Sequence, residues 1–104
     1  MKLITDGIMK KLQKNYAEEN HEDVVLKLFD CCGAGTWCIT QIEPDGDTMW
    51  GLCDLGMDCI EYGTVSLREI SAVKNRLGLG IERDLHYKGG KVSELSKRDH
   101  LAGC

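Results

Sequence analysis

The sequence predicts a small α+β fold: an antiparallel sheet of about four to five strands with a central β-hairpin, packed by two to three helices. Three observations carry this. Pro44-Asp45-Gly46-Asp47 is a turn signal with β-rich segments on both sides, and Asp-Gly accepts positive φ at low cost. Ser66 followed by Glu69 is a capping box ahead of an apolar period of helical type. Thr5 stands at the head of a second such period. The chain has 104 residues, the length of one domain spanning residues 1–104.

The elements follow in order. A first helix begins after Thr5 and presents Ile8, Leu12 and Tyr16, with Met9 beside them, to the core. Lys10, Lys11 and Lys14 lie on its wetter side, and it ends near Asn20. Residues 24–29 are short and β-branched-rich, which predicts a strand. Gly33-Ala34-Gly35 breaks the chain. Residues 36–42 and 49–55 are the two arms of the hairpin, closed by Gly56. Residues 60–65 predict a further strand around Gly63. The helix after Ser66 carries Leu67, Ile70, Val73 and Leu77 on one face, and Gly78 suits its C′ position. Residues 81–87 alternate and predict a strand. Gly89-Gly90 is a turn, and the tail from Lys91 to His100 adds a short helix through Val92 and Leu95.

Apolar residues make up 42% of the chain, which excludes general disorder, and aromatic residues make up 6%, so aliphatic side chains must form the core. Trp37 and Trp50 are expected in the core or packed on the hairpin. His21 and His100, in polar surroundings, are expected at the surface. The first residues lack a signal-peptide pattern, and no run approaches the ~20 apolar residues of a membrane helix. The expected location is the cytoplasm, where six cysteines are reduced, metal-bound or buried in preference to disulfide-linked.

Charge is uneven. Residues 1–62 hold twelve acids and five bases, a balance of −7; residues 63–104 hold five acids and eight bases, +3; together they give −4. An acidic first part argues against direct nucleic-acid binding, which needs clustered Lys and Arg. It is either ordinary solvation or a face that docks on a basic groove of another protein.

The hairpin register yields a candidate metal site. With Asp45-Gly46 at the tip, facing residues have numbers summing to 91, which pairs Cys38 with Cys53 and sets Cys32 opposite Cys59. Four thiolates from two segments, Cys32, Cys38, Cys53 and Cys59, match the tetrahedral set of zinc. Six residues of extended strand span ~20 Å, so convergence requires the Gly-rich ends to fold back. Cys31 is an equally placed substitute for Cys32, and Asp54, His86 or Cys104 are alternative fourth ligands. The competing reading makes Cys38 and Cys53 small buried hydrophobes.

A second constellation is Glu82, Asp84 and His86. At alternate positions of one strand they would share a face. Two carboxylates and an imidazole there suit divalent-metal or acid–base chemistry, hence a small metal-dependent hydrolase or nuclease with Asp54 in support. The simpler reading is a solvated face, or one salt-bridged through Arg68 or Arg76. Gly78-Leu79-Gly80 precedes a strand and is no phosphate loop.

Gly33-Ala34-Gly35-Thr36-Trp37, Gly51-Leu52-Cys53-Asp54-Leu55-Gly56, Val65-Ser66-Leu67 and Gly78-Leu79-Gly80-Ile81-Glu82-Arg83-Asp84-Leu85-His86-Tyr87 form a recognisable set. The chain resembles, from about residue 3 to residue 96, a family of small proteins of unknown function found largely on bacterial plasmids, phages and integrative elements. Cys53 fits the family pattern; Cys31, Cys32, Cys38 and Cys59 stand where other residues are usual. The resemblance brings no catalytic residues. It implies a mobile-element context, where small proteins often disarm host defences such as restriction or CRISPR nucleases. The leading expectation is therefore a non-enzymatic inhibitor of anti-CRISPR type. It would bind a host CRISPR effector nuclease and block its access to nucleic acid, with a structural zinc as an additional expectation. A maintenance module of a mobile element is a further alternative.

Overall fold

The computed structural model describes residues 3–30, 35–56, 60–73, 80–97 and 101. Helix α1 spans Asp6–Ala17, with Thr5 as its N-cap: the Thr5 Oγ1 accepts from the Ile8 N–H at 3.2 Å. Strand β1 is Asp23–Val24, β2 Leu26–Asp30, β3 Thr36–Ile42, β4 Thr48–Asp54 and β5 Ile60–Ser66. Helix α2, Leu67–Ala72, starts at the expected cap, where Ser66 Oγ accepts from the Glu69 N–H. Strands β6, Ile81–Arg83, and β7, Gly90–Lys91, precede the short α3, Val92–Leu95. This is the expected α+β fold. Five antiparallel strands lie in the order β5-β4-β3-β2-β6, and β1 pairs with β7 in a small second sheet.

The sheet separates two cores, and strand alternation decides which residue enters which. One face carries Leu26, Leu28, Ile39, Ile42 and Met49. These pack with Leu12 of α1, Ile70 of α2 and Ile81. The other carries Cys38 and Leu52, packed with Val24, Leu95 and Leu101. Each fully buried Leu or Ile contributes about 1.5–3 kcal/mol of transfer free energy, so aliphatic side chains carry both cores.

The hairpin turns where expected. Gly46 has φ of 72°, and its N–H donates to the Glu43 carbonyl. The Asp45 carboxylate accepts from the Asp47 N–H, the Thr48 N–H and the Thr48 hydroxyl. The Asp47 carboxylate accepts from the Arg68 N–H and the Ser66 hydroxyl, which ties the tip to the start of α2. Those hydrogen bonds hold the Asp45 and Asp47 carboxyls below the usual carboxylate range.

The register departs from the expectation part-way down the hairpin. Ile42↔Met49 and Gln41↔Trp50 obey the sum of 91. Ile39↔Gly51, Cys38↔Leu52, Trp37↔Cys53 and Thr36↔Asp54 obey a sum of 90. Thr40 is the extra residue of a β-bulge. A one-residue slip moves a side chain to the opposite face. Cys38 therefore joins the second core, fully buried, while Cys53 stands on the other face beside Trp37.

Other boundaries shifted for local reasons. The expected strand over residues 24–29 is two strands in two sheets, because Val24 pairs with Gly90 while Leu26 pairs with Ile39. The expected strand over residues 81–87 stops at Arg83. There the Asp84 carboxylate accepts from the His86 N–H at 2.9 Å, an Asx-type turn that competes with the ladder. Tyr16 is not a core residue: it is 37% exposed, and Asn15 is buried in its stead. Leu77 and Gly78 lie outside the described residues.

The bulge makes a sharp demand on Gly51. A Cβ there would meet the Cys38 carbonyl and come within 2.7 Å of the Ile39 Cα, whereas a Cβ at Gly63 meets nothing within 4 Å. Gly51→Ala is expected to lower stability by about 2–3 kcal/mol in urea denaturation. Gly63→Ala is expected to stay within ~0.5 kcal/mol of the parent. Equal effects at the two sites would contradict the observed register.

Candidate functional site

Two buried amides fasten the end of α1 to the bulge. Asn15 Nδ2 donates to the Thr40 carbonyl at 3.0 Å and the Asp23 carbonyl at 3.2 Å. Gln41 Nε2 donates to the Asn15 carbonyl at 3.2 Å and the Asn20 carbonyl at 2.8 Å. Those carbonyls lie at the end of α1, in the segment after it, in β1 and at the bulge, and the Asn15 carbonyl also accepts from the Asn20 N–H at 2.8 Å. Satisfying buried carbonyls matters, since each orphan costs about 1–3 kcal/mol.

An aromatic cluster stands on this clasp. Thr40 Oγ1 donates to the Trp50 carbonyl and lies 2.9 Å from the Tyr62 hydroxyl. The Tyr62 hydroxyl also lies 2.7 Å from His21 Nδ1. Partial burial raises the Tyr62 phenol above its ordinary pKa, partly offset by the Thr40 hydrogen bond. Trp50 stacks on Tyr62 with ring centroids 6.1 Å apart at 27°, and His21 meets both rings edge-on. Trp50 Nε1 donates to Glu43 Oε2 at 2.8 Å, which orients both the indole and the carboxylate.

Beside the cluster opens a cleft of about 530 Å³ lined by Tyr16, Ala17, Glu19, His21, Gln41, Glu43 and Trp50. Its aromatic rings and carboxylates come from three places: the end of α1, the segment before β1, and the hairpin. Among the described residues, no lysine or arginine lines it.

A second cleft, about 460 Å³, runs along the β2–β6 border. It is lined by Lys27, Phe29, Thr36, Glu82, Arg83, Asp84, Leu85 and His86. Glu82, Asp84 and His86 thus meet in one cleft, but not as the face of one strand, because the chain turns at Asp84. The Lys27 side chain is 6% exposed, with its Nζ 3.7 Å from Asp84 Oδ2. One Asp84 oxygen accepts from the His86 N–H and the other faces Lys27, an arrangement that holds this carboxylate in structural contacts. Among the described residues no group of three or more His, Cys, Asp or Glu side chains is arranged to hold a metal.

The cysteine constellation is placed as follows. Cys38 and Cys53 stand on opposite faces of the sheet, so the two cannot contribute to one tetrahedral centre across the hairpin. Cys32 and Cys59, with Cys31 and Cys104, lie outside the described residues. Asp54, proposed as a substitute ligand, is 2% exposed, and its carboxylate accepts from the Gly56 and Leu101 N–H groups. That makes it a clamp on the segment over the second core. Arg76 and His100 also lie outside the described residues.

Tyr16, His21 and Trp50 were not legible as a group. Each has an ordinary separate explanation in sequence: helix face, surface histidine, hairpin packing. The available signal was the density of acids and aromatics over residues 16–22 next to a helix end.

The class of protein is now defined: a small α+β protein with an open antiparallel sheet, with no described helix long and apolar enough to cross a membrane. The chain belongs to the family of proteins of unknown function DUF2958, which matches residues 3–103. No curated protein matches, and no solved structure matches.

Burial and, secondarily, the nearby Glu61 carboxylate push the Cys53 thiol above its ordinary pKa. A raised pKa means less thiolate at neutral pH and slower alkylation. Peptide-resolved mass spectrometry with iodoacetamide should find Cys53 alkylated more slowly than an unfolded-peptide cysteine at pH 7.5, by about fivefold or more. Its rate should rise with pH beyond the ordinary thiol range. Glu61→Gln should speed it. Cys38, fully buried, should react last.

Proposed function

We propose that this protein is a small mobile-element-encoded interaction protein that inhibits a host defence nuclease of CRISPR type, docking through its acidic end and blocking access to nucleic acid. One observation carries the reading. Acids that are scattered in sequence, Glu19 at the end of α1 and Glu43 on the hairpin, come to one cleft that the rings of Tyr16, His21 and Trp50 also line. Aromatic residues ringed by like charge are typical of surfaces that meet an oppositely charged partner. The surfaces by which nucleases hold nucleic acid are basic, so an acidic end is the complementary shape of charge. The motif set of the family, with its plasmid, phage and integrative-element setting, supports the same reading.

The second constellation supports another reading less well. Glu82, Asp84 and His86 share a cleft, as metal-dependent hydrolysis would need, yet Asp84 is engaged by Lys27 and by backbone.

The test is a plasmid-protection assay in bacteria carrying an active CRISPR nuclease and a matching guide, paired with a pull-down of that nuclease. Expression of the chain should raise survival of the targeted plasmid by about tenfold or more, as when inhibitor at roughly ten times its Kd leaves about one nuclease in ten free. The complex should weaken as salt rises. Glu18→Lys should reduce protection without loss of fold, because its side chain is exposed and its ion-pair partner is Lys14 on the same helix. Absence of both complex and protection across a panel of such nucleases refutes the proposal.

A further inference from the structure

We propose that the Trp50 cleft is a receptor for one arginine side chain presented by the protein partner. The inference rests on the reading of the chain as an interaction protein, and it names the chemistry of the contact. Four features point to a guanidinium. The rings of Trp50, Tyr16 and His21 line the cleft, and indole is the side chain that best attracts a cation over its face. Glu43 and Glu19 supply carboxylates, which a guanidinium meets with a two-pronged fork that ammonium lacks. The floor is Gln41, 1% exposed, whose Nε2 already donates to the Asn15 and Asn20 carbonyls. Those two bonds fix the amide as a polar wall, the kind of group that meets a ligand rich in N–H donors. Among the described residues, no lysine or arginine lines the cleft to compete.

Glu19 sharpens the point. It is the non-glycine residue with left-handed backbone among the described residues, φ 54°, at the position after the α1 C-cap. Glycine is the residue that adopts this conformation without penalty. A glutamate there places a carboxylate at the rim of the cleft at a cost in backbone strain, the kind of cost that accompanies binding sites.

The cleft is pre-formed in its own way. Glu43 fixes the indole, Tyr62 supports it from the stack, and Tyr62 is itself held between His21 and Thr40. The rings therefore lose little freedom when a ligand enters.

The experiment uses the full chain and three synthetic pentapeptides, acetyl-Gly-Gly-X-Gly-Gly-amide, with X arginine, lysine or citrulline. Binding is read by NMR at the Trp50 indole N–H, assigned with Trp50→Phe. The arginine peptide should shift this resonance saturably with a millimolar Kd. The lysine peptide should bind about threefold or more weakly, and citrulline, isosteric but neutral, should not saturate. Glu19→Gly should weaken the arginine peptide about threefold or more while leaving Tm equal or higher, since it relieves the left-handed strain. Glu43→Gln should weaken it further. Trp50→Leu is a supporting variant whose fold is checked by circular dichroism. Equal binding of citrulline, no saturable shift, or full affinity in Glu19→Gly and Glu43→Gln together would overturn the proposal. Arginine-peptide binding without nuclease inhibition would keep the cleft and refute the host target. Nuclease inhibition that survives Glu19→Gly and Glu43→Gln unchanged would keep the target and refute the cleft.

Discussion

The clasp between Asn15 and Gln41 is the constraint on which the rest of the structure depends. It ties the end of α1 to the bulge at Thr40 through the backbone carbonyls of Asn15, Asn20, Asp23 and Thr40. Both amides are buried, and losing either would strand carbonyls in a dry setting. The bulge cannot be smoothed without breaking the clasp. The end of α1 cannot swing away from the sheet for the same reason. The place of His21, just beyond that helix end, follows.

The bulge then distributes chemistry between the two faces. Above it the hairpin register brings Gln41 opposite Trp50; below it Cys38 faces Leu52 and Trp37 faces Cys53. A single inserted residue thereby sends one cysteine into a core and the other to the opposite face. It also frees the Thr40 hydroxyl to hold Tyr62 under the indole. The same irregularity that weakens a two-strand metal scaffold builds the aromatic wall of the cleft. Stability and recognition here draw on one feature, and the close approach over Gly51 is its steric consequence.

The two clefts differ in character. Along β2 and β6, charges of both signs are mixed, and Lys27 is largely buried beside Asp84. A buried pair of this kind stabilises little by itself, because desolvation offsets the attraction, yet removal of one partner is costly. At the end of α1 the rings of Tyr16, His21 and Trp50 stand beside two carboxylates, those of Glu19 and Glu43, and these are the groups that the proposed guanidinium contact would use.

Much of the architecture was legible in the sequence. Thr5 and Ser66 cap their helices, Asp45-Gly46 turns the hairpin, and residues 36–42 form the strand their pattern predicts. Caps, turns and alternation are local, set by φ/ψ preference and by hydrogen bonds between residues two to four apart, so neighbouring letters suffice to reveal them. The site was not legible to the same degree. Glu82, Asp84 and His86 reach one cleft, but by a turn at Asp84 in place of the expected strand. The cysteine pairing failed at Thr40 because a bulge is stabilised by Asn15, twenty-five residues away, and nothing in the hairpin's own letters announces it. The cleft of Tyr16, His21, Gln41, Glu43 and Trp50 joins three segments whose proximity is a property of the packed chain. Sequence by itself determined the α+β class, the starts of α1 and α2 and the turn of the hairpin. The register below the bulge, the faces of Cys38 and Cys53, and the meeting of acids with rings were decided by tertiary contacts, since long-range hydrogen bonds and burial override local preference wherever carbonyls would otherwise be stranded.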